Sequence, residues 1–289
     1  MESADKRFRR DFGGVEERLV ITADRVRTLA REAKLPAGVV EKDYALTWLL
    51  NGLYAKDSTL RKGFVLKGGT AIRKVYFPEA WRFSEDIDFS VVTGREGDAI
   101  REGLLHAFDR LRSVSGINYS LESFHATEGA ITANVQFVGP LNFPNRIKHD
   151  ITLKERMVFK PEQRTVKSLY PDLPYFRVLV YSIDEIMAEK IRSIMQRGYS
   201  RDYYDVWRLM KEGKFKTREF KDVLMKKCEL NGIEYRPELV FDRDRLNEAR
   251  AFWSRGLGHL LKELPNFETV ISDLRESLRI LESQDGRSR

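Results

Sequence analysis

The stretch Phe64–Ser90, FVLKGGTAIRKVYFPEAWRFSEDIDFS, decides the reading of the fold. Phe64-Val65-Leu66 is a short apolar run of the kind that forms a buried strand. Gly68-Gly69 marks a turn, and Thr70–Tyr76 reads as a helix stopped by Pro78. Ile87–Val92 is the next strand. Side chains two apart on a strand share a face, so Asp86 and Asp88 project together while Ile87 and Phe89 enter the core. Strand, double glycine and helix let backbone N–H groups approach an anion closely, because neither glycine carries a Cβ and the helix start is the positive end of its dipole. Thr70 can add a hydroxyl donor. The same pattern also serves as an ordinary tight turn.

Two adjacent carboxylates repel unless a cation or proton lies between them. Asp86 and Asp88 have no His or Cys beside them, and oxygen-only ligation suits Mg²⁺ holding substrate phosphates. The alternative is a solvated strand face. In Arg146–Leu153 the apolar phase is Ile147, Ile151 and Leu153, so Asp150 lies on the opposite face with Lys148 and Thr152. His149 shares the apolar phase and is expected in the core rather than as a ligand.

Outward from this segment the chain falls into three zones. To about Tyr54 it reads helical, over Val15–Ala33 and again after Leu35-Pro36. Between about 62 and 182 strands and helices mix, with further strand signals at Ile117–Phe124, Ile131–Val138, Ile147–Leu153 and Phe176–Tyr181. From Ser182 on it is helical: 183–196, opened by a capping box of Ser182 and Glu185 and closed at Arg197-Gly198, then about 201–212 with Ser200 as cap, 217–230, 244–262 and 266–282. The expected class is α+β, a mixed β-sheet core flanked by helices (residues 1–182) followed by a helical C-terminal lobe (residues 183–289).

The composition narrows the function classes. With 289 residues, 42% hydrophobic and 11% aromatic, the chain can bury a core and is not disordered. The apolar stretch Tyr44–Leu50 is far too short to span a membrane. MESADKRFRRDFGG has neither the apolar core nor the cleavage site of a secretion signal, and the single cysteine, Cys228, excludes an internal disulfide and a cysteine zinc site. A reducing cytoplasm is expected. Lys and Arg number 51 against 44 Asp and Glu, a net charge of +7, which fits a polyanionic partner.

The Gly-Gly-Thr turn, the Asp-x-Asp strand and a lone Asp on a later strand resemble the DNA polymerase beta-like nucleotidyltransferase superfamily. The fuller string, Lys67-Gly68-Gly69-Thr70-Ala71 followed by Arg82-Phe83-Ser84-Glu85-Asp86-Ile87-Asp88, is similar to the AbiEii (MenT-like) nucleotidyltransferase toxins. Glu41-Lys42-Asp43-Tyr44 upstream, and Glu189-Lys190 with Arg201-Asp202-x-x-Asp205 downstream, match as well. The resemblance covers about residues 38–210 and leaves the last 75 or so outside. Sixteen residues (70–85) part Gly69 from Asp86, long for the wider superfamily but suited to this subfamily.

The resemblance implies a nucleotidyltransferase-type core, NTP as substrate, Mg²⁺ or Mn²⁺ as cofactor, and RNA, a tRNA 3′ end, as acceptor. A cognate antitoxin is the implied protein partner. Asp86, Asp88 and Asp150 would hold metal, with Asp150 instead free to take the proton of an acceptor hydroxyl. Lys67, Gly68, Gly69, Thr70, Arg82, Ser84 and Lys190 would bind nucleotide, and Asp205 would fix Lys190. Read without the resemblance, Lys190 is a solvated flank lysine, Asp202 a helix-start charge, and Tyr199, Tyr203, Tyr204 and Trp207 are core packing, with stacking on a base as the alternative. A basic run, Lys211, Lys214, Lys216, Arg218, Lys221, Lys226 and Lys227, is expected to meet RNA phosphates. A small-molecule or protein acceptor, a non-catalytic nucleic-acid-binding module and a nucleotide-sensing partner remain as competing readings.

Overall fold

The computed structural model describes residues 20–282 apart from 80, 93, 95 and 214–216. The chain opens with α1 (Ala23–Ala33), capped by the Thr22 hydroxyl, and α2 (Ala37–Leu53). The start expected at Val15 lies outside the described residues. Helix α2 is buried nearly all round, with Tyr44, Leu46, Trp48, Leu49, Leu50 and Leu53 in the core, because it lies between α1, α4 and the sheet.

Strand β1 (Phe64–Lys67) runs straight into α3 (Gly68–Ala71) and a π-helical turn, Ile72–Tyr76, ended before Pro78. Then come β2 (Asp86–Val91), α4 (Gly97–Ser115), β3 (Asn118–Ala126), β4 (Ala130–Val138), β5 (Pro144–Thr152), β6 (Glu162–Val166) and β7 (Phe176–Val180). The strands make one seven-stranded mixed sheet in the order β3-β4-β5-β2-β1-β7-β6. β2 is central, antiparallel to β1 and parallel to β5. Its inward residues, Ile87 and Phe89, are fully buried as the alternation requires, and His149 on β5 is buried with them.

Two elements were not singled out in the sequence reading. Helix α4 carries a legible stripe, Ile100, Leu104, Ala107, Phe108 and Leu111, all buried. Strand β6 is an edge strand with mostly exposed side chains, so it has no alternation to find.

The helical segment comprises α5 (Ile183–Gln196), α6 (Ser200–Lys211), α7 (Thr217–Leu230), α8 (Arg243–Ala251), α9 (Trp253–Leu257), α10 (Phe267–Ser277) and α11 (Arg279–Glu282). The single helix expected over 244–262 is therefore broken, with α8 ending at Ala251 and Phe252 standing between it and α9. Ser182 caps α5 by accepting from the Glu185 N–H, but the Glu185 carboxylate turns instead to the Val158 and Phe159 amides at 2.9 Å. Gly198 is not a left-handed cap. Its role is closeness, since a Cβ there would stand 2.5 Å from the Arg245 carbonyl oxygen. Ser200 does not cap α6 either; Tyr199 occupies that position, and no side chain bonds the helix start. Among the described residues no helix is long and apolar enough to cross a membrane.

Candidate active site

Register in the sheet assembles the acidic face. Asp88 pairs with Asp150 across the parallel β2–β5 ladder, and Asp86 with Lys148, so all four side chains rise from adjacent positions on one face. A cavity of about 560 Å³ opens over them, lined also by Gly69, Arg82, Ser84, Lys190 and the turn 197–202.

The glycine turn makes room for two charged groups. Gly68 has φ +68, the left-handed region, and a Cβ there would overlap the Asp88 carboxylate. At Gly69 a Cβ would stand 2.6 Å from the Arg82 guanidinium. The double glycine thus lets Asp88 and Arg82 close over the start of α3. Burial pushes the Asp88 carboxyl up to about 6, with Lys67 and Lys190 opposing that shift. Asp86 is raised too, by burial against the pull of Arg201, whose guanidinium lies 3.5 Å away.

Lys190 is no solvated flank lysine. Its Nζ donates to Asp202 Oδ1 at 2.8 Å and lies 3.0 Å from Asp205 Oδ2. Burial alone would lower its pKa, but the two aspartates outweigh that and hold it above the ordinary lysine range. Asp205 is fully buried and grips Arg82 through Nε at 2.8 Å and Nη2 at 2.7 Å. It therefore contacts both Lys190 and Arg82. Asp202 is buried against Lys190 and belongs to this set rather than to helix-start duty.

Other expected site residues sit elsewhere. Lys67 is buried, does not line the cavity, and pairs with Glu155 and with Glu189 at 2.9 Å. Those carboxylates consume the charge expected to meet a phosphate. Thr70 is likewise sealed in, its hydroxyl donating to the Asp86 carbonyl at 2.5 Å and lying 2.7 Å from Ser84 Oγ. Asp150 shares the acidic face but is bound by Lys148 at 2.7 Å and Thr132 at 3.2 Å. Among the described residues no three His, Cys, Asp or Glu side chains converge on a metal-sized site, so the structure brings Asp86 and Asp88 together without Asp150 completing a trio.

The basic run is not one exposed surface. Lys227 is 0% exposed, with Glu155 at 2.9 Å and Glu185 at 2.8 Å. Lys211 faces Asp273 at 3.1 Å and Lys226 faces Glu229 at 2.8 Å, while Lys214, Lys216 and the Arg218 side chain lie outside the described residues. His149 is buried with both ring nitrogens unpartnered, and burial pushes it down to about 4, so it is a neutral core residue. Of the aromatics, Tyr203 and Tyr204 pack inward, but Tyr199 lines the cavity.

Lys148, Arg197, Glu248 and Phe252 also line the cavity without a site role in the sequence, as does Arg201, which the sequence marks only as part of the downstream motif. Lys148 was legible, being two residues from Asp150 on the same face. Phe252 and Glu248 come from the far end of the chain, and no local pattern marks them.

Residues 49–273 match the family described as nucleotidyl transferase AbiEii toxin, type IV TA system. No curated protein matches the chain in sequence. Among solved structures, MenT4, a nucleotidyltransferase toxin from Mycobacterium tuberculosis H37Rv, is similar with a TM-score of 0.71 at 18% identity. That match covers 92% of this chain and 91% of the other, and at such identity it establishes the fold. With its fold and more than half its length so matched, the chain belongs to the AbiEii family of nucleotidyl transferase toxins of type IV toxin–antitoxin systems.

Proposed function

We propose that the protein moves the nucleoside monophosphate of an NTP onto an RNA acceptor, a tRNA 3′ end, with Mg²⁺ or Mn²⁺ as cofactor, and that a cognate antitoxin opposes it. The observation that carries the reading is the pair Asp86 and Asp88 on one wall of a cavity that also holds Lys190 and Arg82. In the reaction the acceptor oxygen bonds to the α-phosphorus while the bond to the β-phosphate breaks and pyrophosphate leaves.

The donor set fits the metal. Mg²⁺ is held through one or two carboxylates plus substrate phosphates, so it needs no third protein ligand. Gly68 leaves the space that the Asp88 carboxylate uses. When bound, the metal would neutralise the triphosphate oxygens and the charge growing on pyrophosphate. The chain's own groups do the rest. Lys190, steadied by Asp202 and Asp205, holds a phosphate oxygen as a point charge, and Arg82 supplies a second cation. Asp150, with Lys148 and Thr132 orienting it, takes the proton of the acceptor hydroxyl.

A small molecule or protein side chain as acceptor is the second reading, favoured by one observation: the burial of Lys227 and the pairing of Lys211 and Lys226 weaken the basic surface expected to meet RNA. The test of the chemistry is to supply NTP labelled at the α- or the γ-phosphate in separate reactions. Nucleotidyl transfer labels the acceptor only from the α position, and label arriving from the γ position would mean phosphoryl transfer instead.

A further inference from the structure

Two aromatic rings on the cavity wall take no part in the chemistry above. Tyr199 and Phe252 are each 50% exposed, and both line the cavity that carries Asp86 and Asp88. Single exposed rings are ordinary on a protein surface. Two that line one charged cavity, on segments fastened to each other, are not.

The holding is specific. The turn carrying Tyr199 is pressed onto α8, because Gly198 lets its backbone come within 2.5 Å, measured from a would-be Cβ, of the Arg245 carbonyl oxygen. The Ser200 hydroxyl reaches the Phe252 carbonyl at 3.5 Å, and Gly256 leaves room for that hydroxyl, since a Cβ there would stand 2.8 Å from it. Arg201 Nε donates to the Gly256 carbonyl at 3.1 Å, fastening the start of α6 to α9. The Arg197 guanidinium lies over the Tyr199 ring, 4.6 Å from its centroid, and its Nε is 3.8 Å from Asp202, the residue that binds Lys190. The tyrosine is therefore backed by a cation on a chain of contacts that ends at the phosphate-binding lysine, and it remains half exposed.

The cavity, at about 560 Å³, is of single-ligand size. It offers carboxylates and cations together with two flat apolar rings, the complement of a nucleotide's charged and aromatic parts. We propose that Tyr199 and Phe252, with Arg197 behind the tyrosine, form the nucleobase subsite of the bound nucleoside triphosphate, an assignment that rests on the nucleotide reading of this cavity. Stacking uses the π-face common to all bases, so the subsite binds any nucleobase with modest selectivity.

The test compares ATP, CTP, GTP and UTP with inorganic tripolyphosphate, which has the phosphates and no base. Binding to the full chain with Mg²⁺ is measured by calorimetry for wild type, Tyr199→Ala, Phe252→Ala and Tyr199→Phe. Each alanine variant is expected to weaken the nucleotides by about tenfold while tripolyphosphate binding stays unchanged, and Tyr199→Phe keeps wild-type affinity. The subsite is overturned if nucleotide affinity is unmoved by the alanine variants, or if nucleotides and tripolyphosphate weaken alike. It is overturned too if only the KM for an RNA acceptor rises, which gives the rings to the acceptor. Wild-type protein that binds neither tripolyphosphate nor any nucleotide would sink the nucleotide reading itself, whereas tripolyphosphate binding with insensitive rings sinks the subsite alone.

Discussion

Arg82 and Asp205 form a buried bidentate ion pair, Nε to Oδ1 at 2.8 Å and Nη2 to Oδ2 at 2.7 Å, which ties the segment entering β2 to helix α6. Burial would raise the Asp205 carboxyl, but Arg82 and then Lys190 hold it below the usual range. Asp205→Leu therefore leaves Arg82 without its carboxylate in the interior and Lys190 with Asp202 alone, and is expected to cost about 3–5 kcal/mol. Arg82→Met combined with Asp205→Leu should cost clearly less than the two single changes added, because the pair couples. Urea unfolding of the four proteins checks this; simple additivity would mean the pair contributes nothing as a pair.

Lys190 separates a phosphate-binding role from a merely neutralising one. Lys190→Ala should abolish nucleotide transfer, and Lys190→Arg should restore only part, because a planar fork fills space differently from an ammonium. Wild-type transfer by the alanine variant would leave the lysine with no task beyond balancing Asp202 and Asp205.

For the acidic pair, Asp86→Asn and Asp88→Asn should each stop transfer while the protein stays folded. Replacing Asp88 removes a charge that burial already disfavours, so its thermal midpoint is expected to hold or rise by a few degrees, roughly the return of a relieved functional site. Full activity in either variant removes that residue from the proposed metal site.

Lys226 and Lys227 are adjacent and should behave oppositely. Lys227→Ala removes a fully buried cation from between two buried carboxylates, leaving Glu155 to Lys67 and Glu185 to the Val158 and Phe159 amides, and is expected to cost about 3–5 kcal/mol. Lys226→Ala, at an exposed pair with Glu229, should change stability by about 0.5 kcal/mol or less. Equal effects in denaturant titration would contradict the burial of Lys227.

That lysine also shows where the sequence was legible and misread. Phe220, Leu224 and Cys228 are the buried stripe of α7, and Lys227 falls seven residues after Phe220 on the same face, so periodicity alone marks it as inward. Counting charges hid this. The Asp86–Asp88 face was legible because strand alternation is a local rule, and the register with β5 merely completed it. Asp202 could not be told from a helix-start charge, since its partner Lys190 stands on another helix and only tertiary packing joins them. Phe252 was out of reach for the same reason.

Asp43, which does not line the cavity, gives a separate pH test. Burial opposes its charge, but Lys74 at 2.7 Å and Arg73 at 3.0 Å outweigh it and hold the carboxyl at about 2, against 3.8 in the unfolded chain. A depressed folded value means the contribution is present above about pH 4 and is lost as pH falls toward 2, a share of about 2 kcal/mol. Urea midpoints measured from pH 5 to pH 2.5 should fall more steeply for wild type than for Asp43→Asn. Parallel slopes would show that Asp43 carries no such linkage.

Nucleotide transfer to an RNA 3′ end by the Asp86–Asp88 cavity is the proposed reaction. The most direct measurement incubates the protein with each α-labelled nucleoside triphosphate, Mg²⁺ and total RNA, beside the same reaction with Asp88→Asn and one with RNA whose 3′ ends have been oxidised by periodate. Transfer to a 3′ hydroxyl puts label on tRNA-sized RNA, absent with Asp88→Asn and absent after oxidation. Label on a metabolite or a protein, or RNA labelling that survives oxidation of the 3′ end, would contradict it.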